Sequence, residues 1–159
     1  MRPNLTPSRR ALLIGILATA AARPAWAAEE LPKMVVTKDP TCGCCTAWAD
    51  HVRSAGFNVE VREAPDMNRV KVRLGVPQDL ASCHTAEIGG YVIEGHVPAD
   101  MIKRLVTEKP EAKGLAVPGM PSGSPGMEME GMEPDTFEDV LFGPAGQRTF
   151  ARYRGTAPV

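Results

Sequence analysis

The chain has 159 residues, four of them cysteines, and a formal net charge of −1. This length suits one domain with a modest core. The near balance of 18 basic and 19 acidic residues lacks the excess of positive charge that is typical of nucleic-acid binding. We therefore expect one globular domain that does not bind nucleic acid.

The first 27 residues have the features of a secretory signal peptide. Residues 1–10 carry three arginines and no acid, residues 11–22 are almost wholly apolar, and small residues surround the expected cleavage site at Ala27. The apolar run is shorter than the ~20 residues that a membrane-spanning helix needs. Residues 8–13 also resemble a loose twin-arginine signal. We expect export by Sec or Tat, a periplasmic location and a mature chain that does not span a membrane.

The mature chain is acidic. Cleavage after residue 27 leaves 132 of the 159 residues, with 14 basic and 19 acidic side chains, because the leader holds four arginines and no acid. A net charge of about −5 argues further against nucleic acid as a partner. A small acidic chain without a recognisable interface motif is expected to be a monomer.

A strand, a helix and a second strand are predicted after the leader. Met34–Lys38 is apolar and β-branched and is followed by Asp39–Pro40, which predicts a short buried strand and a turn. Apolar residues at helical spacing from Cys45 onward predict a helix that ends near Gly56. Alternation in Asn58–Arg62 predicts the second strand.

A second helix, a hairpin and a third helix complete the predicted domain, residues 28–110. Asp66–Leu74 is flanked by an N-terminal Asp and by Gly75, which predicts a short capped helix. Two short strands are predicted around Gly89–Gly90, within Glu87–Glu94, and a helix should begin at Pro98. The order of elements predicts an α/β fold.

Residues 111–159 are predicted to be a C-terminal extension of this domain. Prolines, glycines and methionines crowd residues 114–134, so neither a helix nor a strand can continue far, and this part is either disordered or folded onto the domain. Thr136–Tyr153 regains apolar residues and should form a last short turn or strand.

The cysteines form the strongest chemical signal. Cys42, Cys44 and Cys45 lie within four residues, and Cys83 stands beside His84. Two disulfides are one interpretation of an even cysteine count in an exported chain, although only Cys42 and Cys45 are comfortably spaced for a bridge. That pair also has the Cys-x-x-Cys spacing of thioredoxin-like redox proteins, at a helix start that stabilises a thiolate.

A third thiol in the same turn favours metal binding over disulfide exchange. Three thiolates make a soft anionic pocket that suits Cu(I) or Zn(II). Zinc could use Cys42, Cys45, Cys83 and His84 as a tetrahedral Cys3His site, but this leaves Cys44 unused. Bridging thiolates could share several Cu(I) ions, so copper explains more of the sequence.

Methionines and histidines are further candidate ligands. Thioethers bind Cu(I), and Met120 and Met127 stand beside Gly or Pro turns that could fix their direction. Adjacent side chains of an extended segment point to opposite faces, so His84 can share a metal with Cys83 only if the backbone turns there. His96 lies in a loop at a strand end and is also a candidate. His51 is expected to be structural.

These motifs together closely resemble the CopG-type periplasmic copper-resistance family, which was long known only as a domain of unknown function. The resemblance runs from about residue 33 to 128 and rests on Asp39–Cys45, Ser82–Ala86, Gly90–Ala99, Gly114–Pro121 and Gly123–Glu128. It implies a thioredoxin-like domain with the Gly/Pro/Met-rich extension folded back over it. It also implies a cysteine-bridged copper cluster on Cys42, Cys44, Cys45 and Cys83, with methionines of the extension as partners.

Three functions follow as expectations. The first is a periplasmic copper-binding protein of copper resistance that stores Cu(I), passes it to an efflux system or a copper chaperone, or interconverts Cu(I) and Cu(II) as a copper oxidoreductase. The second is a thiol-disulfide oxidoreductase that uses Cys42 and Cys45. The third is a zinc-stabilised structural module.

Overall fold

The computed structural model describes residues 30–159, so the predicted signal peptide, residues 1–27, lies outside the described residues. Within them the chain forms eight strands, three α-helices and one short 3-10 helix. In chain order these are β1 Met34–Lys38, α1 Gly43–Ser54, β2 Val59–Glu63, α2 Met67–Leu74, the 3-10 helix Gln78–Leu80, β3 Thr85–Ile88, β4 Tyr91–Glu94, α3 Ala99–Glu108, β5 Gly114–Ala116, β6 Thr136–Gly143, β7 Gly146–Arg154 and β8 Ala157–Pro158.

All eight strands belong to one sheet, in the order β2-β1-β3-β4-β5-β6-β7-β8. β1 and β2 are parallel, as are β4 and β5, and the other neighbouring pairs are antiparallel. The predicted α/β class is confirmed. The sheet does not stop at residue 110, because β5 pairs with β4 and leads into β6, β7 and β8.

The sheet separates two apolar clusters. One row of paired residues crosses it from Val36 through Ala86, Ile93 and Leu115 to Leu141, and these side chains pack with apolar residues of α1 and α3. Neighbouring residues in the same strands, such as Val92, Ala116 and Phe142, join a second cluster with Leu80 and Leu74. Because successive strand residues face opposite sides, α1 and α3 cover one face and the end of α2 covers the other.

Local sequence signals explain where the first helices begin and end. A carboxylate oxygen of Asp39 accepts hydrogen bonds from the backbone N–H and the hydroxyl of Thr41, at 2.8 and 2.6 Å, and thereby turns the chain from β1 into α1. The side chain of Asp66 accepts the N–H of Arg69 at the start of α2, and Gly75 ends α2 in the left-handed conformation. These caps agree with the sequence.

The C-terminal part is more regular than expected. Instead of one short turn or strand, β6 and β7 form a hairpin of eight and nine residues, with a register shift between Asp139 and Val140. Side chains of β6 such as Phe137 and Leu141 enter the main core, whereas most of β7 is exposed. Pairing with β6, and not an apolar pattern of its own, makes β7 a strand.

Among residues 30–159, no helix combines the length and the apolar character that crossing a membrane requires.

Candidate metal centre

Three of the four cysteines lie at the N-terminus of α1. Cys42 is the cap residue, and its sulfur accepts the backbone N–H of Cys45 at 3.3 Å. Cys42 and Cys45 form a disulfide, with Cα atoms 5.4 Å apart, while Cys44 is a free, half-buried thiol whose sulfur lies 3.5 Å from that of Cys42. The predicted start of the helix at the cysteine cluster thus brings three sulfurs into one turn.

The fourth cysteine reaches the same place from a different segment. Cys83 lies in the connection between the 3-10 helix and β3, and β3 is the neighbour of β1 in the sheet. The sulfur atoms of all four cysteines lie within 4.8 Å of one another. Four sulfurs at this separation form a soft donor set that suits Cu(I) or Zn(II) once they are thiolates.

Two buried imidazoles adjoin Cys83. The Cys83 sulfur lies 3.2 Å from Nδ1 of His84 and 3.0 Å from Nε2 of His96, and both histidines are fully buried. Nδ1 of His96 lies 2.7 Å from the carbonyl oxygen of Pro125. A carbonyl only accepts, so Nδ1 carries the proton and Nε2 directs its lone pair at Cys83. Metal-binding histidines are commonly oriented by such a bond on the second nitrogen.

The protonation states of these groups suit a metal. Burial lowers the pKa of His84 well below its usual range, with the charges of His96 and Lys71 acting in the same direction. Burial also lowers the pKa of His96, although the Pro125 carbonyl opposes this. Both imidazoles are therefore neutral at neutral pH, which is the form that binds metals. Burial raises the pKa of the Cys83 thiol to about 12, and Cys44 adds to the rise, so metal binding there would displace a proton.

The donor atoms present fit a soft metal ion. Nε2 of His84 is buried and has no hydrogen-bond partner among the described residues, although buried polar atoms in proteins nearly always have one. Cysteine sulfur and neutral imidazole nitrogen are the ligands preferred by copper and zinc. The disulfide form offers Cys44 and Cys83 as free thiols, and reduction of Cys42–Cys45 would supply the other two thiolates.

The C-terminal extension covers this centre through its backbone. Besides the Pro125 carbonyl, the carbonyl of Gly119 accepts the hydroxyl of Ser82, next to Cys83. Gly126 lies so close to α1 that a Cβ atom there would be 2.7 Å from the backbone nitrogen of Trp48. Residues 119–126 therefore contact the Cys83 segment, His96 and α1 around the centre, while Cys42, Cys44 and Cys83 stay partly exposed.

The comparisons with known proteins agree with this site. Residues 80–127 match a family described as "Protein of unknown function, DUF411". A solved structure of "Copper resistance protein copG- Form 1" is 44% identical, with a TM-score of 0.73, over 79% of this chain and 100% of that chain. This chain belongs to the same family. Form 2 of that protein is 43% identical, with a TM-score of 0.73, over 78% of this chain and 99% of that chain. A search of curated proteins finds no match.

The family resemblance inferred from the motifs is thus confirmed, and the structure brings most of the predicted ligands together. The four cysteines converge, and so do both candidate histidines. The backbone bends at Cys83, which is the turn that His84 required in order to share a site with that residue. Because His84 and His96 both approach the Cys83 sulfur, Cys83 connects the cluster of four cysteines with the two histidines.

The predicted methionines lie next to backbone that contacts the centre. Met120 follows Gly119 and is 56% exposed, beside an open cleft lined by Pro118 and Phe137. Met127 follows Gly126 and is half-buried. Ligation by either thioether stays a prediction, as does ligation by the cysteines and histidines.

Three further groups at the centre were not predicted as part of it. Trp48 packs its ring 4.3 Å from that of His84 and donates its indole N–H to the Val97 carbonyl at 2.9 Å. Ser82 and the Pro125 carbonyl act through hydrogen bonds, and only the Gly/Pro pattern around residue 125 hinted at the latter. His51 has a structural role, as expected, because its Nε2 accepts the N–H of Ala99 at the start of α3.

Proposed function

We propose that this protein is a periplasmic copper-binding protein of copper resistance that holds Cu(I) on the reduced thiolates of Cys42, Cys44, Cys45 and Cys83. The observation that carries the proposal is the approach of these four sulfurs to within 4.8 Å of one another. Thiolates are soft ligands and can bridge ions, so the group suits several Cu(I) ions per chain. Both related structures are of a copper resistance protein, which supports copper over zinc.

The predicted signal peptide supports the location. A leader with arginines, a short apolar run and a small-residue cleavage site directs a chain out of the cytoplasm. Detoxification outside the cytoplasm would end in export, so the proposed recipients of the copper are an efflux system or a periplasmic copper chaperone.

The first seven α-helices and strands of the described residues support a thioredoxin-like unit. β1, α1, β2, α2, β3, β4 and α3 follow one another in the chain, and their strands are ordered β2-β1-β3-β4 with only β1 and β2 parallel. In this proposal the Cys-x-x-Cys pair sits at the start of the first helix, where free backbone N–H groups and the helix dipole favour thiolates.

The redox form of the proposal uses the disulfide. The thiolates of Cys42 and Cys45 give up one electron each and join as a disulfide, and two Cu(II) ions become two Cu(I) ions. Cys44 and Cys83 remain available to hold Cu(I). A dithiol reductant, which itself becomes a disulfide, then restores Cys42 and Cys45 by exchange. The Cys42–Cys45 bridge beside two free cysteines supports this scheme.

The two donor sets around Cys83 suit the two oxidation states. An all-sulfur set favours Cu(I), whereas imidazole nitrogen is a good ligand for Cu(II). Because Cys83 belongs to both sets, an ion near it could change oxidation state with little movement of the protein.

A second candidate function is thiol-disulfide exchange. The observation that favours it is the same Cys42–Cys45 bridge at a helix N-terminus, a position that lowers the pKa of cysteines. The substitution Cys44→Ser separates the two functions, because Cys44 lies outside the bridge. An exchange enzyme should keep its disulfide reductase activity in this variant, whereas a shared copper cluster should lose ions.

The test is elemental analysis of the mature protein from copper-supplemented cells, with free thiols counted in denaturant on the same sample. We expect several coppers and four recoverable thiols per parent chain, and fewer coppers per Cys44→Ser chain. Copper-free parent protein with a Cys42–Cys45 disulfide and undiminished reductase activity in Cys44→Ser would establish the exchange enzyme instead. One tightly held zinc per chain, with unfolding by chelators, would indicate the structural module.

A further inference from the structure

A buried ion pair lies behind the segment that carries Cys83. The ammonium nitrogen of Lys71, from α2, is 2.5 Å from a carboxylate oxygen of Glu94, at the end of β4, and the two side chains are 8% and 0% exposed. In every other ion pair among the described residues, both side chains are at least 34% exposed. Buried charges are uncommon in proteins, so this pair requires an explanation.

The Glu94 carboxylate holds both ends of the Cys83 segment. One oxygen accepts the backbone N–H of Ser82 at 2.6 Å, and the other accepts the hydroxyl of Thr85 at 2.7 Å. Lys71 also donates to the Thr85 hydroxyl, at 3.1 Å. Cys83 and His84 are the two residues between these anchor points. One carboxylate and its lysine partner therefore anchor both ends of this stretch, in addition to the hydrogen bond that the Gly95 N–H donates to the His84 carbonyl at 3.0 Å.

Stability alone does not explain the pair. Desolvation offsets most of the attraction between two buried charges, and apolar replacements of similar volume are often equally stable or more stable. An apolar side chain at position 94, however, could not accept the amide of Ser82 or the hydroxyl of Thr85. The function of the charges is thus conformational, because they fix both ends of a short segment in which Ser82, Cys83 and His84 lie outside the helices and strands.

We propose that Lys71 and Glu94 are positioning residues of the metal centre, which hold the segment Ser82–Thr85 so that Cys83 faces the cysteines of α1 and His84 lies beside Cys83. The copper readout of this proposal rests on the proposed function. The positioning itself can be measured on metal-free protein, so failure of the two ideas can be distinguished.

The primary test measures the reactivity of Cys83 in the Cys44→Ser protein with its Cys42–Cys45 disulfide intact. Cys83 is then the one free thiol of the chain. Adding Glu94→Gln should raise the rate at which N-ethylmaleimide alkylates Cys83 about tenfold, which corresponds to the loss of about one buried hydrogen bond. The reason is that the amide of glutamine has an NH2 group, which donates and cannot accept from Lys71, Ser82 or Thr85. In the companion Cys83→Ser protein, where Cys44 is the free thiol, Glu94→Gln should leave the rate unchanged.

A second variant decides the question if Glu94→Gln does not fold. Thr85→Val removes one hydroxyl without leaving an unpaired charge and should raise the Cys83 rate by a factor of about three to ten. β6 and β7 offer a matched control, because Glu138 accepts the hydroxyl of Thr149 at 2.8 Å and the guanidinium of Arg152 at 2.5 Å on the exposed surface. Thr149→Val and Glu138→Gln should leave Cys83 reactivity unchanged.

The outcomes are distinct. Two results together support the proposal. The variants should speed the alkylation of Cys83 but not that of Cys44. In the protein with all four cysteines, Glu94→Gln and Thr85→Val should also weaken Cu(I) binding, measured in competition with a chelator. Unchanged Cys83 rates in both folded variants, or equal acceleration at Cys83 and Cys44, would overturn it. If the parent binds no copper, the proposed function fails, and the alkylation rates still decide the positioning role.

Discussion

Replacing Gly126 by alanine should lift the C-terminal extension from the metal centre. Gly126 has a φ of +83°, and a Cβ atom there would lie 2.7 Å from the backbone nitrogen of Trp48 and 2.9 Å from the carbonyl oxygen of Cys44. Both are backbone atoms of α1, so no side-chain rotation can relieve the overlap. The backbone at Pro125 and Gly126 has to move instead.

Gly131 supplies a matched control for the loss of stability expected from Gly126→Ala. Its φ is +80°, and a Cβ atom there would meet nothing within 4 Å. A left-handed alanine costs about 1–2 kcal/mol at either position. At Gly126 the displacement should also break the 2.7 Å hydrogen bond between His96 and the Pro125 carbonyl, and an unpaired buried donor costs about 1–3 kcal/mol more.

Urea unfolding of the metal-free protein measures both losses. Gly126→Ala should lower the free energy of unfolding by about 3 kcal/mol and Gly131→Ala by about 1 kcal/mol, and only Gly126→Ala should reduce the copper bound per chain. Equal destabilisation by the two substitutions, with copper binding unchanged, would refute the conclusion that the extension packs against the first turn of α1.

Two further substitutions probe groups outside the proposed ligand set. Burial, with a smaller contribution from the charge of Asp100, raises the pKa of Asp139 from 3.8 to about 8. Between these two pH values the folded state binds more protons than the unfolded state. The stability of the parent should therefore fall as the pH rises from about 4 to about 8. At about 1.36 kcal/mol per pH unit, Asp139→Asn should match the parent near pH 4 and exceed it by up to roughly 5 kcal/mol at pH 8 in urea unfolding; parallel pH curves would contradict this. His51→Ala should cost about 1 kcal/mol, because it removes the acceptor for the Ala99 N–H, and should leave copper per chain unchanged; loss of copper would show that His51 is more than structural.

The first half of the fold could be predicted because its signals are local. The strand Met34–Lys38 and the end of α2 at Gly75 agree with the sequence, since a run of β-branched residues and a left-handed glycine determine structure over a few residues. β7 could not be predicted in this way, because its residues are mostly exposed and its conformation depends on pairing with β6.

The site was predictable to the extent that side chains form it. Thiol spacing marked Cys42, Cys44 and Cys45, and the motif around Cys83 added the fourth sulfur. Proximity of His84 to that sulfur depends on a bend at Cys83, which the alternation rule for extended chains does not anticipate.

The extension contributes what composition reveals least, namely backbone groups. The Pro125 carbonyl orients His96, the Gly119 carbonyl receives Ser82, and Gly126 allows contact with α1 that any Cβ would prevent. Glycine and proline enable such contacts, but they are also the residues of disordered tails, so the same composition permits both states. What distinguishes them here is a buried acceptor: His96 needs a partner for Nδ1 if Nε2 is to face Cys83, and the extension provides it. The disorder-like composition of residues 114–134 thus follows from a requirement for close backbone approach to a buried centre.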